Sequence, residues 1–534
     1  MNYRWIRNRQ RALALLLAGS MLAATGCGGS GNTEEKPETV QAEEEQTEQD
    51  TEQQADDGQP ELYPAVPKII ISSEMVDNYD SESGQWLLHA EYNTVEAEGE
   101  GSEGVAAAVQ QWSNQREEEL RAFISQYTSE AAVDESMEPD DYYRYSIFHE
   151  LQTARADERV VSLIEMTSEY FGGAHGEYGS SGVNFDAQSG KILQLSDILT
   201  EEEGFHKKAE EYIIQKLSEM YEEGLFPGYE DTVRGMWDHD QNWYLDAAGI
   251  TFIFTPYEIG PYAMGEVFVT LPYMEVMEYL ADSYVLERSL THMGAGIAKI
   301  PIGERISLFL SAADSQQEQF RLSLEEREEW EWPVRVELDN FSVETDSFER
   351  IGDAYLVCQR DGRVFVVFDA DYASDDFVTF VYELTDGILQ ERDRQEGLSL
   401  QNGKINVDGF RLGMHLDVLG TYEGLMDYTI DSEGRLKAAS EWYEIVGSDN
   451  SWRLLVTVRE LPVLIDGEET TLPAGSRIRI TTADNAGKVR FLDKDTGLEG
   501  EIHYVRGDGE EDLWTIHIDG VPDYEYFEMV PYAG

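Results

Sequence analysis

Tyr170-Phe171-Gly172-Gly173-Ala174-His175-Gly176 opens a stretch that closes on Gly249-Ile250-Thr251-Phe252-Ile253-Phe254-Thr255-Pro256-Tyr257-Glu258-Ile259-Gly260-Pro261-Tyr262-Ala263-Met264-Gly265. The first glycines interrupt two strand-like runs, so they supply a turn or a close backbone approach. Val183-Asn184-Phe185-Asp186 then reads as a strand, and Asp186 to Lys191 as its hairpin turn. Phe205, Tyr212, Ile213, Leu217, Met220 and Tyr221 recur at helical spacing over Phe205 to Gly224. Thr200 with Glu203 fits a capping box in front of that helix. Ile250 to Phe254 alternates as a strand does, and Pro256 and Pro261 force an irregular aromatic loop after it. This order predicts an α+β domain over residues 166–284.

The flanks read as further domains, so the expected fold class is a multidomain α+β chain. Over 62–165 a small α+β domain is expected. It has strands at Pro67–Ile71 and Trp86–Tyr92, and a helix over Val105 to Tyr127 with Val109, Trp112, Leu120, Phe123 and Ile124 on its apolar face. A strand from Arg159 to Met166 runs straight into the Gly172 turn, which predicts a sheet shared with the next domain. Residues 285–447 are a β-rich region of meandering strands. Asp361-Gly362 marks one hairpin there, and Val381–Leu389 faintly repeats in Asp427–Leu436. Residues 448–534, with the alternating Leu472–Ile480 run, resemble an SH3-like small β-barrel.

The order of pieces around the two loops resembles the extracellular (RsiV-like) domain of the lysozyme-binding anti-sigma-V factor family. A similar module occurs in PdaC-type peptidoglycan deacetylases. The residues that carry the resemblance are the Gly172–Gly176 loop, Asn184-Phe185-Asp186, Leu195-Ser196-Asp197 and Phe254 to Ala263. The resemblance implies a fold and an exported setting. Neither a sigma-binding segment nor a metal-binding deacetylase domain is legible in the chain.

The N-terminus also points to export. Arg4, Arg7, Arg9 and Arg11 precede an apolar run from Ala12 to Ala24, which ends Leu22-Ala23-Ala24-Thr25-Gly26-Cys27. Residues 1–26 are thus expected to be a lipoprotein signal peptide, with Cys27 as the lipidation site and the membrane reached through a lipid anchor. Residues 27–61 are expected to be a disordered acidic tether, because they nearly lack large apolar side chains. The 534 residues carry a formal net charge of −68, which repels nucleic acid and favours cationic partners. Cys27 and Cys358 are the two cysteines. Acylation of Cys27 would leave Cys358, in an apolar run, as a buried thiol.

His175, in its glycine loop, is the most tempting functional side chain. Binding is expected at His175, Gly173, Glu258, Tyr257 and Tyr262, with Glu169 and Glu177 adding negative charge. Tyr257, Tyr262, Phe268 and Tyr273 form either an aromatic binding surface or core beneath a proline loop. No HExxH, GxSxG or paired CxxC pattern occurs, so no catalytic residue, metal ligand or cofactor is assigned. Asp238-His239-Asp240 could ligate a metal. Asp369, Asp371, Asp375 and Asp376, and Asp493, Asp495 and Glu499, are dense enough for calcium but miss the EF-hand spacing. The expected role is non-catalytic binding at the bacterial envelope, to a cationic protein such as lysozyme or to a wall glycan or peptide. The alternative is an enzyme or enzyme accessory acting on peptidoglycan.

Overall fold

Strands β1 (Lys68–Tyr79) and β2 (Trp86–Glu98) pair antiparallel, and helix α1 (Glu103–Glu130) carries the chain across to β3 (Tyr145–Ala156), parallel to β2. The computed structural model describes residues 66–131, 133, 144–221, 223–281, 284–286, 295–309, 317–325, 332–339, 341–372, 376–385, 387–446, 454–507 and 515–532. The expected leader 1–26, Cys27 and the tether 27–61 lie outside the described residues. Residues 63–534 form one compact unit. Among the described residues, no helix is long and apolar enough to cross a membrane.

Helix α1 forms because Val105, Val109, Trp112, Leu120, Phe123 and Ile124 fall on one face. Its last turns bury Leu120, Phe123 and Ile124 against Leu88, Ala90, Tyr92 and Ile147 of the sheet. Strands β4 (Val160–Tyr170) and β5 (Glu177–Asp186) continue from β3 as an antiparallel meander. At its end the Asp186 carboxylate accepts the Ser189 amide at 2.7 Å, which fixes the turn read from the sequence.

Helix α2 (Glu202–Met220) buries Phe205, Ala209, Ile213 and Leu217. They face the three-stranded sheet of β6 (Trp243–Leu245), β7 (Gly249–Phe254) and β8 (Val267–Pro272). The N-cap is Glu201, not Thr200: its carboxylate accepts the Glu203 and Gly204 amides at 3.0 and 2.7 Å. The reciprocal capping box lies upstream instead, between Gln194 and Asp197.

The chain then returns to the large sheet through β9 (Gly296–Lys299), which pairs with β3. It leaves to form a four-stranded meander, β10 (Arg305–Phe309), β11 (Gln317–Leu324), β12 (Pro333–Leu338) and β13 (Phe341–Ser347). It comes back as β14 (Arg350–Cys358), β15 (Val364–Asp371), β16 (Phe377–Thr385) and β17 (Ile388–Glu396). The ten-stranded sheet is therefore built from segments on both sides of residue 284. Cys358 is buried in it, and burial pushes its thiol up to about 12.

The remaining strands overturn the expected architecture. They are β18 (Leu398–Asn406), β19 (Gly409–Asp417), β20 (Thr421–Ile430), β21 (Leu436–Ala438), β22 (Tyr443–Val446), β23 (Leu455–Val456), β24 (Leu461–Ile465), β25 (Glu468–Leu472), β26 (Arg477–Ala483), β27 (Lys488–Asp493) and β28 (Glu499–His503). These eleven join one sheet, and β29 (Val505–Arg506), β30 (Ile516–Ile518) and β31 (Val521–Pro522) form a separate three-stranded one. The SH3-like barrel expected at 448–534 is not closed. β26 pairs with β22, which precedes this segment, as well as with β23 and β27 inside it, placing Tyr443 opposite Ala483 and Leu455 opposite Ile478. A barrel closes only when its first and last strands pair with each other. The multidomain α+β class is corrected with it: the described residues are strongly β-rich, 51% of them strand against 18% helix, in several sheets. Period-two alternation marks strands well, but nothing local records which strand is a neighbour.

Arg155 joins the ten-stranded sheet to the three-stranded one. It is 1% exposed. Its Nε donates to Asp157 at 2.6 Å, and its Nη1 donates to the Tyr273 hydroxyl at 2.9 Å and the Tyr284 carbonyl at 2.8 Å. Asp157 also accepts the Arg159 and Val160 amides of the β3–β4 turn. Breaking a buried pair strands the remaining charge, at about 3–5 kcal/mol. Arg155→Met should therefore lower the free energy of unfolding by about that amount in a urea titration. A loss under about 1 kcal/mol would show that the pair does not hold the sheets together.

Candidate functional site

The two loops read from the sequence meet at one surface because the free edge of β5 is clamped. The Gly182 amide donates to Asn242 Oδ1 at 3.0 Å, and Asn242 Nδ2 donates back to the Ser180 carbonyl at 2.7 Å. The Glu266 carboxylate accepts both the amide and the hydroxyl of Ser180. Gly182 is required here, since a Cβ would lie 1.9 Å from the Trp243 carbonyl oxygen. The clamp caps backbone groups that an edge strand would otherwise expose. It also brings the 172–176 turn against the 255–265 loop.

The His175 ring stacks on Tyr262, with centroids 4.2 Å apart and planes at 29°. Tyr178 meets Tyr262 edge-on at 5.3 Å, and Tyr257 lies tilted at 5.8 Å. The Tyr262 hydroxyl donates to the Gly176 carbonyl at 2.9 Å, tying one loop to the other. Desolvation, then Tyr178, Tyr257 and Glu177, hold that phenol above its usual value, so it stays a donor. His175 and Tyr257 are exposed, and Tyr262 is half-buried. His175 Nδ1 lies 2.8 Å from the Gly176 carbonyl.

The remaining predicted residues shape the loops. Gly173 has φ 104° with no atom near its missing Cβ, and its carbonyl accepts from the Tyr170 hydroxyl at 3.2 Å. Tyr257 has φ 72°, an uncommon conformation for a bulky residue. Glu258 supports that turn from within, since its carboxylate accepts the Thr255 amide at 2.7 Å and the Thr255 hydroxyl at 3.1 Å. Of the wider aromatic group, Phe268 is exposed, whereas Tyr273 is buried on Arg155 and belongs to the core. Asp238, His239 and Asp240 are exposed.

The two calcium candidates are arranged as internal anchors. Asp369 is fully buried and accepts the Asp353 and Leu400 amides, both at 2.7 Å. Burial, then Asp353, pushes its carboxyl up to about 7. Asp371 pairs with Arg350 at 3.0 Å, and Asp375 lies outside the described residues. Asp493 accepts the Asp495 and Thr496 amides of its own turn, and Asp495 pairs with Arg477.

The sequence singles out His149 and Glu169 as residues that only tertiary folding could bring to this surface, but it gives no sign of the buried polar group they form with Glu165 and Arg116. His149 lies between Glu165 and Glu169, and Arg116 of α1 donates to Glu165 at 2.5 Å. The strand period places Glu165 and Glu169 on one face of β4, but only the β3–β4 register brings His149 between them.

Comparison with known proteins fits this part of the chain. Residues 196–274 match the model of DUF3298, described as a protein of unknown function, and the chain carries a DUF3298 domain there. A solved DUF3298-family structure from Bacteroides fragilis is 20% identical. It aligns over 40% of this chain and 94% of its own, with a TM-score of 0.30. Another from Pseudomonas aeruginosa is 19% identical, over 43% and 99%, also with a TM-score of 0.30. None of the curated proteins matches the sequence.

A positive φ in open space isolates a backbone effect. Gly173→Ala should cost about 1–2 kcal/mol, the order of the left-handed penalty for an L residue. A melting temperature equal to wild type would show that the turn relaxes freely.

Proposed function

We propose that this chain is a non-catalytic binding protein of the bacterial envelope, anchored by a lipid on Cys27. The ligand is a cationic protein such as lysozyme, or a wall component. It docks on the rings of His175, Tyr257, Tyr178 and Tyr262. The observation that carries this reading is the partly exposed ring cluster at two interlocked loop tips. Aromatic side chains are enriched at recognition surfaces, and loops on a rigid scaffold commonly carry binding. The net charge of −68 would speed encounter with a basic partner. The DUF3298 domain at 196–274 is compatible with an RsiV-like extracellular domain, and the lipobox-like run before Cys27 supports export.

Two measurements test it. Cys27→Ala should move the protein from the membrane fraction into the medium, and unchanged membrane retention would sink the anchor. In that released full-length chain, His175→Ala and Tyr262→Ala should each weaken capture of lysozyme or of purified wall. A central contact costs about 2 kcal/mol on truncation, which is about thirtyfold in Kd. The melting temperature should fall by no more than a few degrees. Loss of stability with normal capture by the folded fraction would make the rings core instead.

A further inference from the structure

His149 is 3% exposed and sits between two carboxylates of the adjacent strand. Its Nε2 is 2.8 Å from Glu169 Oε1, and its Nδ1 is 3.4 Å from Glu165 Oε1. The register explains this: Thr167 is directly opposite His149, so Glu165 and Glu169 flank it on the same face. The two carboxylates are not equivalent. Glu165 also holds Arg116 of α1, whose Nη1 donates in turn to the Asn93 carbonyl of β2. The cation held against Glu169 is His149 itself. The other groups around Glu169 do not offset its charge. Glu177 of β5 is its cross-strand partner, Tyr92 of β2 is the register partner of His149, and the phenol of Tyr127 on α1 senses both Glu169 and Glu177.

Glu169 stands at the base of the recognition loop. Glu169–Glu177 is the last pair of the β4–β5 ladder before the 171–176 turn. The Glu169 carbonyl packs so closely on Gly176 that a Cβ there would come within 2.7 Å of it. Phe171, the next residue but one, stacks on Tyr127 at 3.7 Å. Gly176 is also the residue whose carbonyl receives the Tyr262 hydroxyl. A charge at Glu169 is thus one strand pair away from the contact that joins the two loops.

We propose that His149 is a positioning residue for the 172–176 loop. Its protonated ring clasps Glu169 and closes the loop base, and loss of that proton opens it. The inference rests on the reading of the His175–Tyr262 surface as the recognition site. In alkali a neutral His149 takes its charge away from the Glu169 carboxylate, which is 14% exposed and has Glu177 as its cross-strand partner. Desolvation opposes charge on His149, but the bonds to Glu165 and Glu169 outweigh it and raise its pKa above 6.5. A folded value raised in this way means that the clasp contributes fully below the unfolded value. It is lost as pH rises through the folded one.

Amide hydrogen exchange of the full-length protein tests this directly. Exchange over residues 170–177, corrected for the intrinsic rate, should be low at pH 6 and rise severalfold as the pH is stepped up through the raised pKa of His149. Above its pKa a group loses its proton about tenfold further with each pH unit, and the clasp weakens in step. Exchange over β7 serves as the reference and should not follow. His149→Gln should exchange fast at every pH. Glu169→Gln, which removes the demand for a cation, should exchange slowly at every pH. A wild-type loop with no pH step, or a step retained in Glu169→Gln, overturns the proposal even if His149→Gln fails to fold. Capture of lysozyme is measured on the same samples. An exchange step without a change in capture keeps the clasp and removes the site, whereas capture that weakens with pH while exchange stays flat keeps the site and removes the clasp.

Discussion

The Arg155 guanidinium is the constraint on which the arrangement of sheets depends. A buried ion is expensive to desolvate, and it is tolerated only where its geometry is nearly complete. Here the partners come from three places: Asp157 from the β3–β4 turn, the Tyr273 hydroxyl from the end of β8, and the Tyr284 carbonyl beyond it. Tyr273 donates further to the Asp246 carbonyl before β7, and the Tyr284 hydroxyl donates to Asp186 at the end of β5. This side chain thereby ties the small sheet to the large one, alongside the Asn242 and Glu266 contacts to β5. An apolar residue of similar size could fill the space, but it would not select this one alignment.

The recognition surface inherits its rigidity from that alignment. The β5 edge is clamped by Asn242, which precedes β6, and by Glu266, which precedes β8. The same contacts prevent another strand from adding to β5 and hold the 172–176 turn beside the 255–265 loop. Each loop on its own is irregular and glycine- or proline-rich. Their mutual order comes from the Tyr262–Gly176 hydrogen bond and the His175–Tyr262 stack. Gly172 and Gly173 are exposed, with open space where a Cβ would be, so they provide the path of the turn and leave the ring contact to His175.

The C-terminal half shows how a strand pattern can mislead about architecture. The Leu472–Ile480 run is split by a turn at 473–476: Leu472 ends β25, and only the part from Arg477 on alternates as a strand, with Ile478 and Ile480 buried in β26. The same alternation serves a closed barrel and an open sheet equally well. Pairing of β22 with β26 decides for the open sheet, because a backbone edge satisfied by a neighbour has no need of closure.

Local signals in the sequence determined much of this protein. The apolar spacing of Val109, Trp112 and Leu120 specified helix α1, and Phe205, Ile213 and Leu217 specified α2. The glycine pair at 172–173, the Asp186 turn and the Ile250–Phe254 strand were legible for the same reason: each depends on residues a few positions apart. The candidate surface was legible in its parts, since an exposed His in a glycine loop and tyrosines between prolines are local features. Tertiary structure alone decided that Tyr262 stacks on His175 while Tyr273 turns inward to Arg155. It alone placed His149 between Glu165 and Glu169, and joined residues before 170 and after 296 in one sheet. Those outcomes depend on strand order and register, which are set by contacts between distant segments, and no local pattern of side chains encodes them.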